Sequence, residues 1–413
     1  MEIADVLCVP GLSGFFADDQ AAIRAGAARD GFDYAGGPLT PGFDRIRQPG
    51  RSLSVMLVLD DGQVAVGDCA TVQYAGAGGR EAAFHAAAAK RLVEERVAPE
   101  LVGRTVDSFR ELDAAVFGLP GLPAAVRYGV SQALLDAAAR ARRTTMAEVV
   151  RDEWATGSAL RPVPVFVQSG DDRYTNVDKM ILKGVDVLPH GLINNVEDKL
   201  GADGGRFADY VGWVRDRILR LRADERYRPA LHFDTYGTIG LAFGDETDRI
   251  ARYLAGLVER AAPFTLRIEH PVDAGSRSAQ VDAMVALRAA LAEQGAPVQL
   301  VVDEWCNTLE DIEVFVAAHA ADMVHVKTPD LGSIADTVTA LLHVRDAGLL
   351  SYCGGTCNET DRSAQVCAQV AMACDADQVL AKPGMGVDEG LMIVVDEMAR
   401  TAALAARRAG AAR

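Results

Sequence analysis

Residues 323–332 read Met-Val-His-Val-Lys-Thr-Pro-Asp-Leu-Gly. The first four form a short apolar strand pattern. The pattern stops at Lys327, and neither strand nor helix runs smoothly through Pro329. A lysine in that place is either the last solvated residue of a strand or a base aimed into a pocket. Lysine is seldom fully buried, so the choice depends on the rest of the chain.

Seven more β-rich runs share the pattern, at 163–168, 185–190, 230–234, 265–269, 299–303, 349–353 and 378–381. Helical patterns at 207–223, 245–262, 278–294, 309–318 and 334–347 lie between them. The link between the first two runs is short and only weakly helical. Eight β-then-α units predict an α/β fold, a closed (β/α)8 TIM-type barrel.

Active sites of such barrels lie at the C-terminal ends of the strands. Read in order, those ends are Gln168, His190, Asp234, Glu269, Asp303 and Lys327, with 354–357 after the seventh strand and 382–384 after the eighth. Asp234, Glu269 and Asp303 are about 35 residues apart, one unit each, which makes them neighbours on the rim. Either they are three separately solvated strand ends, or they converge. Converging carboxylates repel strongly unless a cation neutralises them. All-oxygen ligands suit a hard divalent ion, and Mg2+ is the expected one. Lys327 then flanks the trio on one side and His190 on the other. A substrate on the metal would lie between them, and the nearby cation would disfavour the ammonium form of Lys327, as a base requires.

Residues 1–160 do not alternate in this way. A strand at 3–9, a hairpin across 53–66 turning at Asp60-Asp61-Gly62, and helices at 81–97, 124–141 and 146–154 predict an α+β domain. The expected division is therefore 1–160 as an N-terminal α+β capping domain and 161–413 as the barrel. Two glycine-rich pieces, 10–16 and 73–80, read as loops, and the second is either plain linker or a lid that brings Gln73 to the site.

Composition bounds the partners. The net charge of −16 argues against nucleic acid, which needs clustered Lys and Arg. No apolar run is long enough to span a bilayer, and the N-terminus has no secretory pattern. Seven cysteines without framework spacing suit reduced thiols in the cytoplasm. Cys353, Cys357, Cys367 and Cys374 cluster but lack the CxxC pairs of a zinc ribbon.

A cap, a barrel, Asp/Glu/Asp on strands three to five and Lys on strand six together resemble the enolase superfamily, whose sites use a Lys or His base with Mg2+. More narrowly, the chain resembles the methylaspartate ammonia-lyase (3-methylaspartase) family. The likeness rests on Asp5-Val6-Leu7-Cys8 with Pro10-Gly11-Leu12, Gly67-Asp68-Cys69-Ala70 through Arg80, Arg127-Tyr128-Gly129, 168–174, Leu188-Pro189-His190 with 192–196, Asp234 with 236–240, 303–308, 327–332, 353–360 and 380–390. These segments run nearly end to end.

The resemblance implies a reaction. L-threo-3-Methylaspartate would lose its C3 proton to Lys327, pass through an enolate-type intermediate held by Mg2+, and expel ammonia to give mesaconate, reversibly. His190 would act on the opposite face or help hold the carboxylate. Gln168, Thr356 and Cys357 would bind the C1 carboxylate, Gln73 would reach in from the cap, and Leu380 would line the pocket. The resemblance further implies K+ as a monovalent activator, a homodimer, and a place in glutamate degradation. One position departs from the family pattern: His325, two before the lysine, stands where glutamine usually binds the substrate carboxylate. Strand alternation points it to the side of Lys327, and a histidine can donate one hydrogen bond as the amide did. That puts the substrate range in question. His270, beside Glu269, is also unusual and reads as a packing residue or a support behind the ligands. Two rival readings are another racemase or dehydratase of the superfamily, and a barrel that binds a metal and an acid without turnover.

Overall fold

Strand Arg47–Leu59 and strand Val64–Cys69 form the expected hairpin, with Gly62 taking φ +84° at its turn. On its other side the longer strand pairs antiparallel with Ile3–Asp18. That first strand runs well past the predicted 3–9. It lies at the sheet edge, where a proline can face outward without breaking a ladder bond, so Pro10 and Gly11 stay paired with Leu53 and Ser52. The piece 10–16 is therefore strand rather than loop, with a register shift between Leu12 and Phe16. The structure, a computed structural model, describes residues 1–74 and 80–411. Residues 75–79 of the expected lid lie outside the described residues.

Helix Ala124–Ala141 crosses the sheet at very short range. A Cβ on Gly129 would stand 2.4 Å from the Cys69 amide nitrogen, and one on Gly67 would stand 2.1 Å from the Gly129 carbonyl oxygen. The two glycines let helix and strand meet backbone to backbone. The helix predicted at 81–97 begins only at Ala86 and runs on through a π-helical turn, Val93–Val97, to Leu101. The wide turn puts Pro99 in the first positions of a new turn, where its missing N–H is not needed. Phe109–Phe117 is a further helix, not foreseen in the sequence, capped by Ser108.

The barrel closes as predicted, in the order Val165–Phe166, Val187–His190, Ala230–Asp234, Leu266–Glu269, Val298–Val302, Met323–Val326, Leu350–Cys353 and Gln378–Leu380, with the eighth strand pairing back to the first. The five expected helices are present as Gly205–Leu221, Thr247–Ala261, Arg277–Glu293, Leu309–Ala317 and Ile334–Asp346. The link after the first strand is more helical than expected, with ten residues at Arg173–Leu182. Asp361–Cys374 and Asp388–Ala411 complete the ring. The former is buried from Ser363 to Cys374 except Gln365. A helix covered on nearly all sides has no amphipathic stripe to read.

The cap seats on the segment that follows Lys327. Ser333 Oγ donates to Asp113 Oδ2 at 2.7 Å, and the Ile334 N–H donates to Ser131 Oγ at 2.8 Å. Gly332, at φ +68°, sits against Ala124, where a Cβ would come within 2.9 Å of its Cα. The stretch 323–332 thus joins strand, site and cap. Among the described residues no helix is long and apolar enough to cross a membrane.

Replacing Gly129 by Ala forces the helix off the sheet and lowers the unfolding free energy by about 1–3 kcal/mol. Gly256 is exposed in a helix with nothing within 4 Å of an added Cβ, so Gly256→Ala raises stability by about 0.5–1 kcal/mol. Urea midpoints of the two variants should move in opposite directions. A Gly129→Ala midpoint equal to that of the parent would contradict the close crossing.

Candidate active site

The strand ends converge on one cavity at the mouth of the barrel. Its wall includes Gln168, His190, Asp234, Glu269, Asp303, His325, Lys327, Thr356 and Cys357 from the barrel, and Gln73 from the cap. Leu380, expected in the pocket, is not in this wall. As the last residue of the eighth strand it turns into the barrel interior, where it clusters with Phe166, Val187, Val301, Met323 and Tyr352. His270 also lies off the cavity, buried at φ +48° with no hydrogen-bond partner for Nδ1 among the described residues. Tyr74, Tyr236, Glu304, Tyr352 and Met385 line the cavity and were not singled out in the sequence. Alternation along the seventh strand was the available signal for Tyr352; Glu304 and Tyr236 follow metal-ligand candidates closely enough to have been suspected.

Lys327 Nζ is 2.6 Å from Asp303 Oδ1, and His325 Nδ1 is 3.3 Å from the same oxygen. All three are buried. Burial opposes the Asp303 charge, but Lys327, His325 and Arg80 outweigh it and hold its carboxyl well below the usual carboxylate range. Burial and Arg80 work against the Lys327 ammonium, while Asp303, Glu304 and Asp330 together hold its value above the ordinary one. Asp234 and Glu269 show the reverse of Asp303. Burial raises both, and each is pushed further by neighbouring carboxylates. Three buried acids of which two resist ionisation form a site short of positive charge. A hard divalent cation fits that deficit and that donor set. Glu269, Asp303 and His325 offer ligand atoms within 4.8 Å of one another. Asp234 stands outside this tight group, with Oδ2 3.4 Å from His190 Nε2.

His190 ends its strand at φ +68°, a left-handed conformation that is uncommon for a residue with a side chain. The Leu192 N–H donates to its Nδ1 at 3.3 Å, which leaves the proton on Nε2, facing Asp234. Burial lowers its pKa to about 3, so the ring is neutral. His325 faces the same cavity as Lys327, as alternation requires. Its Nδ1 is 2.7 Å from Glu269 Oε1, and its Nε2 accepts the Gly355 N–H at 3.2 Å. Both nitrogens are engaged by the protein, so the ring contributes shape rather than a free donor. Gly354 makes the fit possible, since a Cβ there would lie 1.8 Å from His325 Nε2.

Among the described residues, the cap meets this wall through specific contacts. The Gln73 N–H donates to Thr356 Oγ1 at 3.3 Å, and Cys357 Sγ donates to Gln73 Oε1 at 3.7 Å. Arg80, buried, donates to Asp330 Oδ2 at 2.8 Å and pairs with Glu304. One guanidinium thereby ties the residue after Asp303 to the turn after Lys327. Behind the wall, Lys382 Nζ donates to Gly354 O at 2.8 Å, to Glu359 Oε2 at 2.7 Å and to Thr328 Oγ1 at 3.2 Å. Glu359 also accepts from the Thr356 N–H and from the Tyr128 hydroxyl. This dry, fully partnered ion pair fixes the loop after the seventh strand against Lys327's own turn.

Known proteins resemble this chain over nearly its whole length. Family models described as methylaspartate ammonia-lyase N-terminus and methylaspartate ammonia-lyase C-terminus match residues 1–155 and 157–407. A β-methylaspartase from Clostridium tetanomorphum, solved as a Mg complex, is 54% identical with a TM-score of 0.95, over 99% of this chain and 100% of that one. A methylaspartate ammonia lyase from Citrobacter amalonaticus, solved with (2S,3S)-3-methylaspartic acid, is 51% identical with a TM-score of 0.97, over 98% of this chain and 99% of that one. Muconate lactonizing enzyme from Pseudomonas putida, at 16% identity and a TM-score of 0.60 over 90% of this chain and 85% of that one, shares the fold. The chain belongs to the methylaspartate ammonia-lyase family.

Proposed function

We propose that this protein is a methylaspartate ammonia-lyase that converts L-threo-3-methylaspartate to mesaconate and ammonia, reversibly. The observation that carries the reading is Lys327 Nζ, 2.6 Å from Asp303 in a buried carboxylate group at the barrel mouth, in a chain of this family. Residues 1–160 serve as its cap and 161–413 as its catalytic barrel.

The C3 proton of the substrate is weakly acidic, and its removal places charge on the adjacent side-chain carboxylate. Asp234, Glu269 and Asp303 would hold a divalent cation, Mg2+, which supplies Lewis-acid stabilisation of that charge and, by occupying Asp303, weakens the pairing that keeps Lys327 an ammonium. Lys327 takes the proton from one face. His190, with its proton on Nε2, is a donor on the other face, suited to hold the carboxylate or to deliver a proton there. Gln168, Thr356 and Cys357 bind the C1 carboxylate. Burial raises the Cys357 thiol to about 12, so it remains a neutral donor and does not compete for the cation. Gln73 closes the pocket from the cap. Loss of ammonia from C2 then completes the elimination. Activation by K+, a homodimer, a cytoplasmic setting and a role in glutamate degradation belong to the same reading, by kinship with the family.

Mesaconate formation is followed by its ultraviolet absorbance. Lys327→Ala should lower the rate by roughly 10²–10⁴-fold, the usual worth of a general base, and a variant of unimpaired rate would remove Lys327 from the chemistry. Chelation by EDTA should abolish turnover and added Mg2+ should restore it. Full activity after exhaustive chelation would contradict the role of the three carboxylates.

A further inference from the structure

Two histidines meet at Glu269. From below, Arg267 donates to Gln299 Oε1 at 2.9 Å and to Gln378 Oε1 at 2.7 Å. With its carbonyl oxygen held there, Gln378 turns its amide nitrogen to His232 Nδ1, 3.1 Å away. An amide nitrogen only donates, so His232 Nδ1 accepts and the ring proton is on Nε2. That nitrogen is 2.8 Å from Glu269 Oε2. From the side, the Gly355 N–H donates to His325 Nε2 at 3.2 Å. The His325 proton is therefore on Nδ1, 2.7 Å from Glu269 Oε1. Each ring also has an aromatic ring stacked against it. His232 stacks on Phe166 at 4.3 Å, and His325 stacks on Tyr352 at 4.1 Å.

We infer that His232 and His325 are positioning residues, two neutral imidazoles in opposite tautomers that donate to the two oxygens of Glu269 and aim its remaining lone pairs at the cation. The inference rests on the reading that Glu269 is a metal ligand. His325 has the spacing of a ligand itself, beside Glu269 and Asp303. Ligation through Nδ1 would leave the proton on Nε2, pointed at the Gly355 N–H. Two donors would then face each other in a buried place, which is unfavourable. The backbone of the loop after the seventh strand thus selects the orienting role over the ligating one. His232 reaches Glu269 from within the barrel, and its tautomer is set by an amide in the eighth strand. Groups that hold ligating carboxylates in this way typically contribute 10–100-fold to metal affinity.

The tautomers are read in the unaltered protein by 15N NMR of histidine-labelled samples, with signals assigned by loss in His232→Gln and His325→Gln. The expected result is a neutral Nε2–H form for His232 and a neutral Nδ1–H form for His325. A proton on Nε2 of His325 would overturn the inference. Mn2+ serves as the probe ion. Pulsed electron paramagnetic resonance of the Mn2+-loaded protein should show no coordinated histidine nitrogen, and a coordinated nitrogen that disappears in His325→Gln would make His325 a ligand. In calorimetry, His232→Phe should weaken Mn2+ binding by roughly 10–100-fold, and His232→Gln, whose amide reaches a similar point, should recover most of the loss. Unchanged affinity in a folded His232→Phe would overturn the His232 half. If that variant does not fold, the tautomers in the unaltered protein decide. None of these readings uses ammonia release, so a protein that passes them without turning over methylaspartate would sink the proposed reaction and leave the positioning intact.

Discussion

Three carboxylates packed into the mouth of one barrel cannot all be ionised, dry and close together without positive charge. Much of the surrounding structure answers that constraint. Lys327 sits on Asp303, Arg80 stands 4.0 Å from the same carboxylate, and two histidines hold Glu269. Asp234 and Glu269 are nevertheless pushed toward their neutral forms. The protein's own cations therefore fall short, and the shortfall is what a divalent ion would fill. The same crowding supplies the chemistry. A site arranged to accept a cation beside a buried lysine is arranged to stabilise negative charge next to a base.

The scaffold converts this local problem into a reproducible geometry. Parallel strands deliver one carboxylate each at neighbouring ends, and the cap meets the wall through Gln73 and Arg80. The buried Lys382–Glu359 pair does not touch the cavity. It ties Thr328, next to the base, to Gly354, next to the loop that binds His325. Errors of an ångström in such loops are costly to catalysis, which gives a physical reason for placing a dry, fully bonded ion pair behind them.

The barrel and most of its rim were legible because parallel strands are apolar along their length and functional at one end. A run such as Leu-Val-Val that stops at Asp303 reports both facts at once. Lys327 became interpretable only through the strand ends before it. What stayed hidden depends on contacts between distant units. Arg80 looks like the end of a glycine-rich linker until it meets Glu304 and Asp330. His232 looks like a core residue until Gln378 and Glu269 flank it. Leu380 lies in the packed cluster beside Tyr352 of the cavity wall rather than in the wall itself, because a strand's last residue can face the packed interior as readily as the mouth. Asp361–Cys374 escaped because a helix buried on nearly all sides carries no stripe, and 10–16 was read as loop because proline in an edge strand gives the same signal as proline in a turn. His325 was visible as a departure from the family, but its partners Glu269 and Gly355, on which the inferred support for Glu269 rests, were not.

The central claim is that Lys327 removes the C3 proton in a site whose cation is held by its neighbours. Its most direct test is hydrogen exchange at C3, followed by NMR with L-threo-3-methylaspartate and Mg2+ in D2O. The native protein should incorporate deuterium at C3 of recovered substrate as mesaconate accumulates. Lys327→Ala should do neither while still binding Mg2+. Continued C3 exchange in a Lys327→Ala protein that binds the metal would show that another group is the base.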